Sequence, residues 1–297
     1  MTMSSKIVPG CLFDVKVTLG EGPVWIAEEQ ALYFVDIPAS TIHRYHPETE
    51  KHDTWKAPNR AAFLLPVTDG TFLCGMPDGL YRFDPRDGRF SHDAVVEPGK
   101  PGNRLNDGCV DPKGRVWFGS MDDSEQSPTG SIYCVRHTPG GLDISHHDEG
   151  YTVSNGPAVS PDGRILYVCD SPEQTIYAFT VTETGDLSQE RIFARLDQGY
   201  PDGIVTDSEG GLWCCVWGGS RILHFAPDGT LLETIAMPCS NVTKLAFGGE
   251  DYRTAFVTTA RRGVPEAQLA KEPHAGSIFS FRVEVPGIPQ QKFQLAN

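Results

Sequence analysis

Positive charge is scarce in this chain of 297 residues: 25 Lys and Arg stand against 39 Asp and Glu, a formal net charge of −14. Wrapping nucleic acid requires a basic face that displaces phosphate counterions, so no nucleic-acid partner is expected. The same field draws cations, although an acidic surface also serves solubility alone. Long apolar runs are missing too. No stretch reaches the ~18 apolar residues of a membrane span, and residues 1–9 hold no apolar run of signal-peptide length, which points to a cytoplasmic protein with no membrane partner. The eight Cys form neither a C-x-x-C pair nor a zinc-finger spacing. Most lie in apolar, strand-like runs (Cys74, Cys109, Cys134, Cys169, Cys214 and Cys215) and read as reduced, buried thiols. There is no G-x-S-x-G elbow, no G-x-x-x-x-G-K-[ST] loop and no G-x-G-x-x-G opening a helix, so serine-triad hydrolysis and nucleotide chemistry lose weight. The nine His show no His-Glu-x-x-His spacing, and the adjacent His146-His147 reads as a solvated strand or turn.

Present instead are 31 Gly and 23 Pro beside 10% aromatic residues, a balance that favours many short strands joined by tight turns. One pattern recurs: an apolar strand, a turn with Asp or Glu and usually Gly, then an apolar-aromatic strand. Val110-Asp111-Pro112-Lys113-Gly114-Arg115-Val116-Trp117-Phe118, Val159–Tyr167 and Val205–Trp213 are clear copies. Second strands fall at 31–35, 71–74, 115–118, 165–168, 211–214 and 254–257. Third strands follow at 41–45, 79–83, 131–134, 175–179, 221–225 and 277–281. The spacing of about 40 to 50 residues is the period of a four-stranded propeller blade. The expected fold is all-β, a six-bladed β-propeller forming a single domain over residues 1–297. The segment Leu12–Val17 is expected to complete the last blade and protect its edge.

The innermost strand of each blade lines the central channel, so residues at its start converge. Four units carry an oxygen-bearing side chain just before a Gly: Glu21-Gly22, Asp107-Gly108, Asn155-Gly156 and Asp202-Gly203. Any one of these alone reads as a turn residue. Recurrence at the blade period alters that reading. Carboxylates aimed at each other in a channel repel unless a cation neutralises them. Two carboxylates and an amide oxygen suit one divalent ion among Ca²⁺, Mg²⁺, Mn²⁺, Fe²⁺ and Zn²⁺.

Four motifs, Leu19-Gly20-Glu21-Gly22-Pro23, Asn103-Arg104-Leu105-Asn106-Asp107-Gly108, Ser154-Asn155-Gly156-Pro157 and Tyr200-Pro201-Asp202-Gly203, carry a likeness that extends to Val257–Arg261. In them the chain resembles the senescence-marker-protein/gluconolactonase family, which includes regucalcin, gluconolactonases and bacterial pentonolactonases. The resemblance implies that Glu21, Asn155 and Asp202 bind the metal, and that Arg104 and Asn106 reach substrate oxygens. The repeating Gly register picks Asp107 instead of Asn106. Neighbours in a regular strand face opposite sides, so only one of the two is expected in the channel, and the resemblance selects Asn106. It also implies a substrate-facing acid in the loop Asp122-Asp123-Ser124-Glu125, of which Glu125 is chosen here. Trp217 is placed either in the sugar pocket or between blades.

The activity implied is hydrolysis of a sugar lactone such as xylono-, arabinono- or gluconolactone. The metal polarises the lactone carbonyl, and Asp202 takes a proton from the attacking water. The bacterial pentose-pathway relatives favour the pentonolactones. Two other readings compete: a non-catalytic, calcium-binding regulatory propeller of the regucalcin kind, and a paraoxonase-type esterase. The first has no use for Arg104 and Asn106, and the second is expected to use channel His, none of which falls at the start of a blade. A monomer is the default expectation.

Overall fold

A computed structural model describes residues 7–296. Six four-stranded antiparallel sheets are arranged as blades around an axis. Their innermost strands, for blades 1 to 6 in order, are Gly20–Ile26, Phe63–Pro66, Asn103–Val110, Ser154–Val159, Tyr200–Thr206 and Asn241–Gly248. Each packs against the next, and Asn241–Gly248 packs back against Gly20–Ile26, so the ring closes. Every second and third strand lies where the repeat put it. The sixth blade takes its outermost strand from the start of the chain, as expected, but that strand is Gly10–Phe13, two residues earlier and shorter than the apolar run suggested. Beyond Phe13 the chain turns away: Asp14 is exposed and accepts hydrogen bonds from Ser277 and His274 in the last blade.

The period-2 alternation has a direct physical reading, because each blade is buried on both faces. In the strand Ala31–Asp36, Ala31, Tyr33 and Val35 pack towards blade 2, while Leu32 and Phe34 pack towards blade 6. Trp213 and Cys215 face blade 6, whereas Leu212, Cys214 and Val216 face blade 4. The hydrophobic interior is thus divided into six clusters, one at each junction between blades. Buried hydroxyls add stitches: Ser154 donates to the Ser120 carbonyl, Thr206 to that of Val159 and Thr243 to that of Gly20.

The repeated Asp turn is a structural device. Asp111 is wholly buried; its carboxylate accepts from the Lys113 and Arg115 amides, from Arg115 Nε at 2.6 Å and from Trp117 Nε1 at 3.1 Å. Asp207 does the same with Glu209, Gly211 and Trp213, and adds His224 at 3.0 Å. One carboxylate closes the hairpin and tethers the next strand's Trp. All eight cysteines are free thiols, and no helix among the described residues is long and apolar enough to cross a membrane.

Candidate active site on the propeller axis

The innermost strands are irregular where the polar motifs fall. Pairing with the second strand slips between Glu21 and Val24, Leu105 and Gly108, Asn155 and Ala158, Pro201 and Ile204, and Val242 and Lys244. Such bulges re-aim side chains beside functional sites. The glycines have different reasons to be there. Gly22 and Gly156 have φ of 52° and 71°, conformations that L side chains rarely adopt. At Gly203 the reason is space: a Cβ there would meet the Lys244 stem at 2.4 Å.

Glu21, Arg104, Asn106, Asn155 and Asp202 are all buried and together line one cavity of about 440 Å³. Blades 1, 3, 4 and 5 contribute them. A hydrogen-bonded relay connects the arms. Arg104 Nη1 donates to Asn106 Oδ1 at 2.6 Å, and Asn106 Nδ2 donates to Asn155 Oδ1 at 2.8 Å and to the Ser154 carbonyl at 2.7 Å. Asn155 Nδ2 donates to Ser171 Oγ, which donates onward to the Pro201 carbonyl. Ser171, which sequence reasoning did not single out, therefore ties blade 4 to the strand that carries Asp202.

Pairing slips between Leu105 and Gly108, so the alternation used to separate Asn106 from Asp107 does not hold there. Asn106 lines the cavity. Asp107 is buried too, away from the cavity, and receives Lys244 Nζ at 2.6 and 2.7 Å on its two oxygens. Lys244 was also missed. The signal that could have found it is a lone charge in an otherwise uncharged innermost strand, Asn241-Val242-Thr243-Lys244-Leu245-Ala246-Phe247-Gly248.

Among the loop acids, Asp122 shapes its own turn, accepting from Ser124, Gln126 and Ser127. Asp123 pairs with Arg60 and with Arg104 Nε at 3.1 Å, so it holds the arginine's position. Glu125 stands at the cavity rim, half exposed, and pairs with Arg262 at 3.1 Å. Trp217, partly buried, lines the cavity and also packs on the core between blades 1 and 2. No His lines this cavity.

The electrostatics are those of crowded acids. Burial, then Asp107, pushes the Glu21 carboxyl up, and burial, then Glu21 and Asp107, pushes Asp202 up. Burial also raises Asp107, with Lys244 pulling it back. Burial alone would lower Lys244, but Asp107 and Glu21 outweigh it and hold the ammonium above its ordinary value. The donor set fits a divalent cation. Glu21 uses one oxygen on the Gly22 amide and keeps the other; the Asn155 carbonyl oxygen retains a second lone pair; and no donor among the described residues reaches the Asp202 carboxylate.

Fold and site define a six-bladed propeller with a polar, cation-seeking pocket on its axis. The sequence profile described as SMP-30/Gluconolactonase/LRE-like region matches residues 19–261. The chain belongs to this family. It is 34% identical over 95% of its length to a 6-deoxy-6-sulfogluconolactonase of Pseudomonas putida (97% of that protein). It is likewise 34% identical over 95% of its length to an L-arabinolactonase of Azospirillum brasilense (94% of that protein). The structure superposes with a TM-score of 0.92 and 26% identity on the calcium-binding protein regucalcin from Agrobacterium tumefaciens, covering 98% of both chains. Lactonases such as these relatives are carboxylic-ester hydrolases.

Proposed function

We propose that this protein is a carboxylic-ester hydrolase that opens a sugar lactone, such as a xylono-, arabinono- or gluconolactone, to the aldonic acid. The observation that carries the proposal is the convergence, in one cavity, of a cation-seeking triad with a preformed polar arm. Glu21, Asn155 and Asp202 would hold one divalent ion from the set Ca²⁺, Mn²⁺, Mg²⁺, Fe²⁺ and Zn²⁺; when bound, it supplies Lewis-acid polarisation of the lactone carbonyl. Arg104 and Asn106, fixed by Asp123 and Asn155, are set to bind ring and hydroxyl oxygens, with Glu125 at the rim. Asp202 takes the proton as water attacks the carbonyl carbon. The ester C–O bond then breaks, and the departing ring oxygen takes a proton to become the hydroxyl of the acid. Glu21 and Asp202 are themselves buried, so their charges act through little intervening water.

One chain supplies every one of these groups, which supports a single propeller domain acting as a monomer. Eight free thiols support a reducing, cytoplasmic setting. The test is acid release from D-xylono-, L-arabinono- and D-gluconolactone by chelator-stripped protein, with each cation returned singly. Cation-dependent turnover identifies the ion and the preferred sugar together. Tight cation binding with no turnover on any lactone overturns the enzyme reading in favour of a calcium-binding regulator.

A further inference from the structure

Lys244 comes from blade 6 and its partner Asp107 from blade 3, the blade directly opposite in the ring. The lysine side chain therefore spans the channel. Gly203 makes this passage possible, because a Cβ at that position would clash with the Lys244 Cβ and Cγ at 2.5 and 2.4 Å. The ammonium is bound bidentately by Asp107 and also reaches the Gly108 carbonyl at 3.4 Å. It borders the cavity on the opposite face, lined by Gly108, Ala158, Ile204 and Leu245 among others, and not the Glu21–Asp202 cavity. The pair thus forms a floor that separates the two ends of the channel.

Charges around this floor can be counted. Three buried carboxylates, Glu21, Asp107 and Asp202, face one buried ammonium, Lys244. Towards the mouth of the cavity, Arg104 and Arg60 share Asp123, and Arg262 pairs with Glu125. Among the four channel groups, Glu21, Asp107, Asp202 and Lys244, the remainder is two negative charges, matching the charge of one divalent ion. We infer that Lys244 is a built-in counter-cation, a positioning residue that occupies the place of a second metal beneath the site and so sets its valence preference to a single divalent ion. The inference rests on the proposed cation site at Glu21, Asn155 and Asp202. Its physical basis is that a charge fixed in a low-dielectric channel acts more strongly on a 3+ ion than on a 2+ ion of similar size.

The experiment compares Ca²⁺ and Tb³⁺ affinities by calorimetry and Tb³⁺ luminescence in wild type, Lys244→Met, Asp107→Asn and the double variant. Lys244→Met removes the one positive charge among these four groups, and its preference for Tb³⁺ over Ca²⁺ is expected to rise by on the order of tenfold or more. Asp107→Asn removes one negative charge, and the preference is expected to fall by a similar factor. The double variant restores two charges and the wild-type ratio. Where Lys244→Met does not fold, the comparison of Asp107→Asn with the double variant carries the same contrast without an unpaired buried Asp107. An unchanged ratio across the folded variants overturns the inference. A wild-type protein that binds neither ion at the axis overturns the cation site itself, a separate result.

Discussion

Glu21→Gln should make the metal-free protein more stable at alkaline pH while destroying the site. Burial and Asp107 carry the Glu21 carboxyl from its ordinary 4.5 to about 8. A carboxyl raised in the folded state contributes stability that is complete below about 4.5 and is lost as pH rises through about 8. At ~1.4 kcal/mol per tenfold change, an isolated group would lose roughly 5 kcal/mol by pH 9; sharing the repulsion with Asp202 and Asp107 reduces this to roughly 2–3 kcal/mol. A glutamine keeps the acceptor for the Gly22 amide and never ionises. Denaturant unfolding in chelator should give nearly equal stabilities for wild type and variant at about pH 4, and a variant ahead by roughly 2–3 kcal/mol at pH 8.5. Saturating cation should reverse the order at pH 8.5, because binding at about a thousand times Kd adds ~4.1 kcal/mol to the wild type alone. A variant equal to or below wild type at both pH values in chelator would refute the crowded-acid account.

Asp202→Asn retains an oxygen ligand but not a base, so kcat should fall far more than cation affinity; equal losses measured by kinetics and calorimetry would remove the base role. Asp111→Ala strands Arg115 and Trp117 Nε1 inside blade 3 and should cost roughly 3–5 kcal/mol in denaturant unfolding, with Asp111→Asn costing clearly less. Phe13→Ala removes the ring stacked at 4.3 Å on Tyr45 of blade 1, and should lower Tm by a stability loss of roughly 1–2 kcal/mol without changing kcat/KM, since Phe13 closes the ring far from the cavity.

The blade frame was legible because both its signals are local. Alternation in Ala31–Val35 or Leu212–Cys214 records two buried faces, and the Asp-to-Trp spacing in 111–117 and 207–213 records one carboxylate closing a hairpin. Glu21, Asn155 and Asp202 were legible because they repeat at the blade period before a Gly. What escaped depends on partners distant in sequence. Lys244 meets Asp107 across the full width of the ring, and Arg60 reaches Asp123 across blades 2 and 3. Neither pair leaves a periodic mark. Alternation could not place Asn106 and Asp107 for another reason: it holds only in a regular strand, and the site is built where the strand is irregular.

That irregularity follows from the geometry of a ring. A regular innermost strand turns every second side chain towards a neighbouring blade, and few functional groups towards the axis. The innermost strand of blade 2, Phe63–Pro66, is paired without a slip and contributes only apolar side chains to the interior. The strands of blades 1, 3, 4, 5 and 6 give up ladder pairing at one point each, and there they deliver Glu21, Asn106 with Asp107, Asn155, Asp202 and Lys244. Lost pairing and crowded charge both cost stability, and the six hydrophobic junctions between blades are what allow the fold to carry that cost. The alkaline stability gain expected of Glu21→Gln in chelator measures the charge part of it directly.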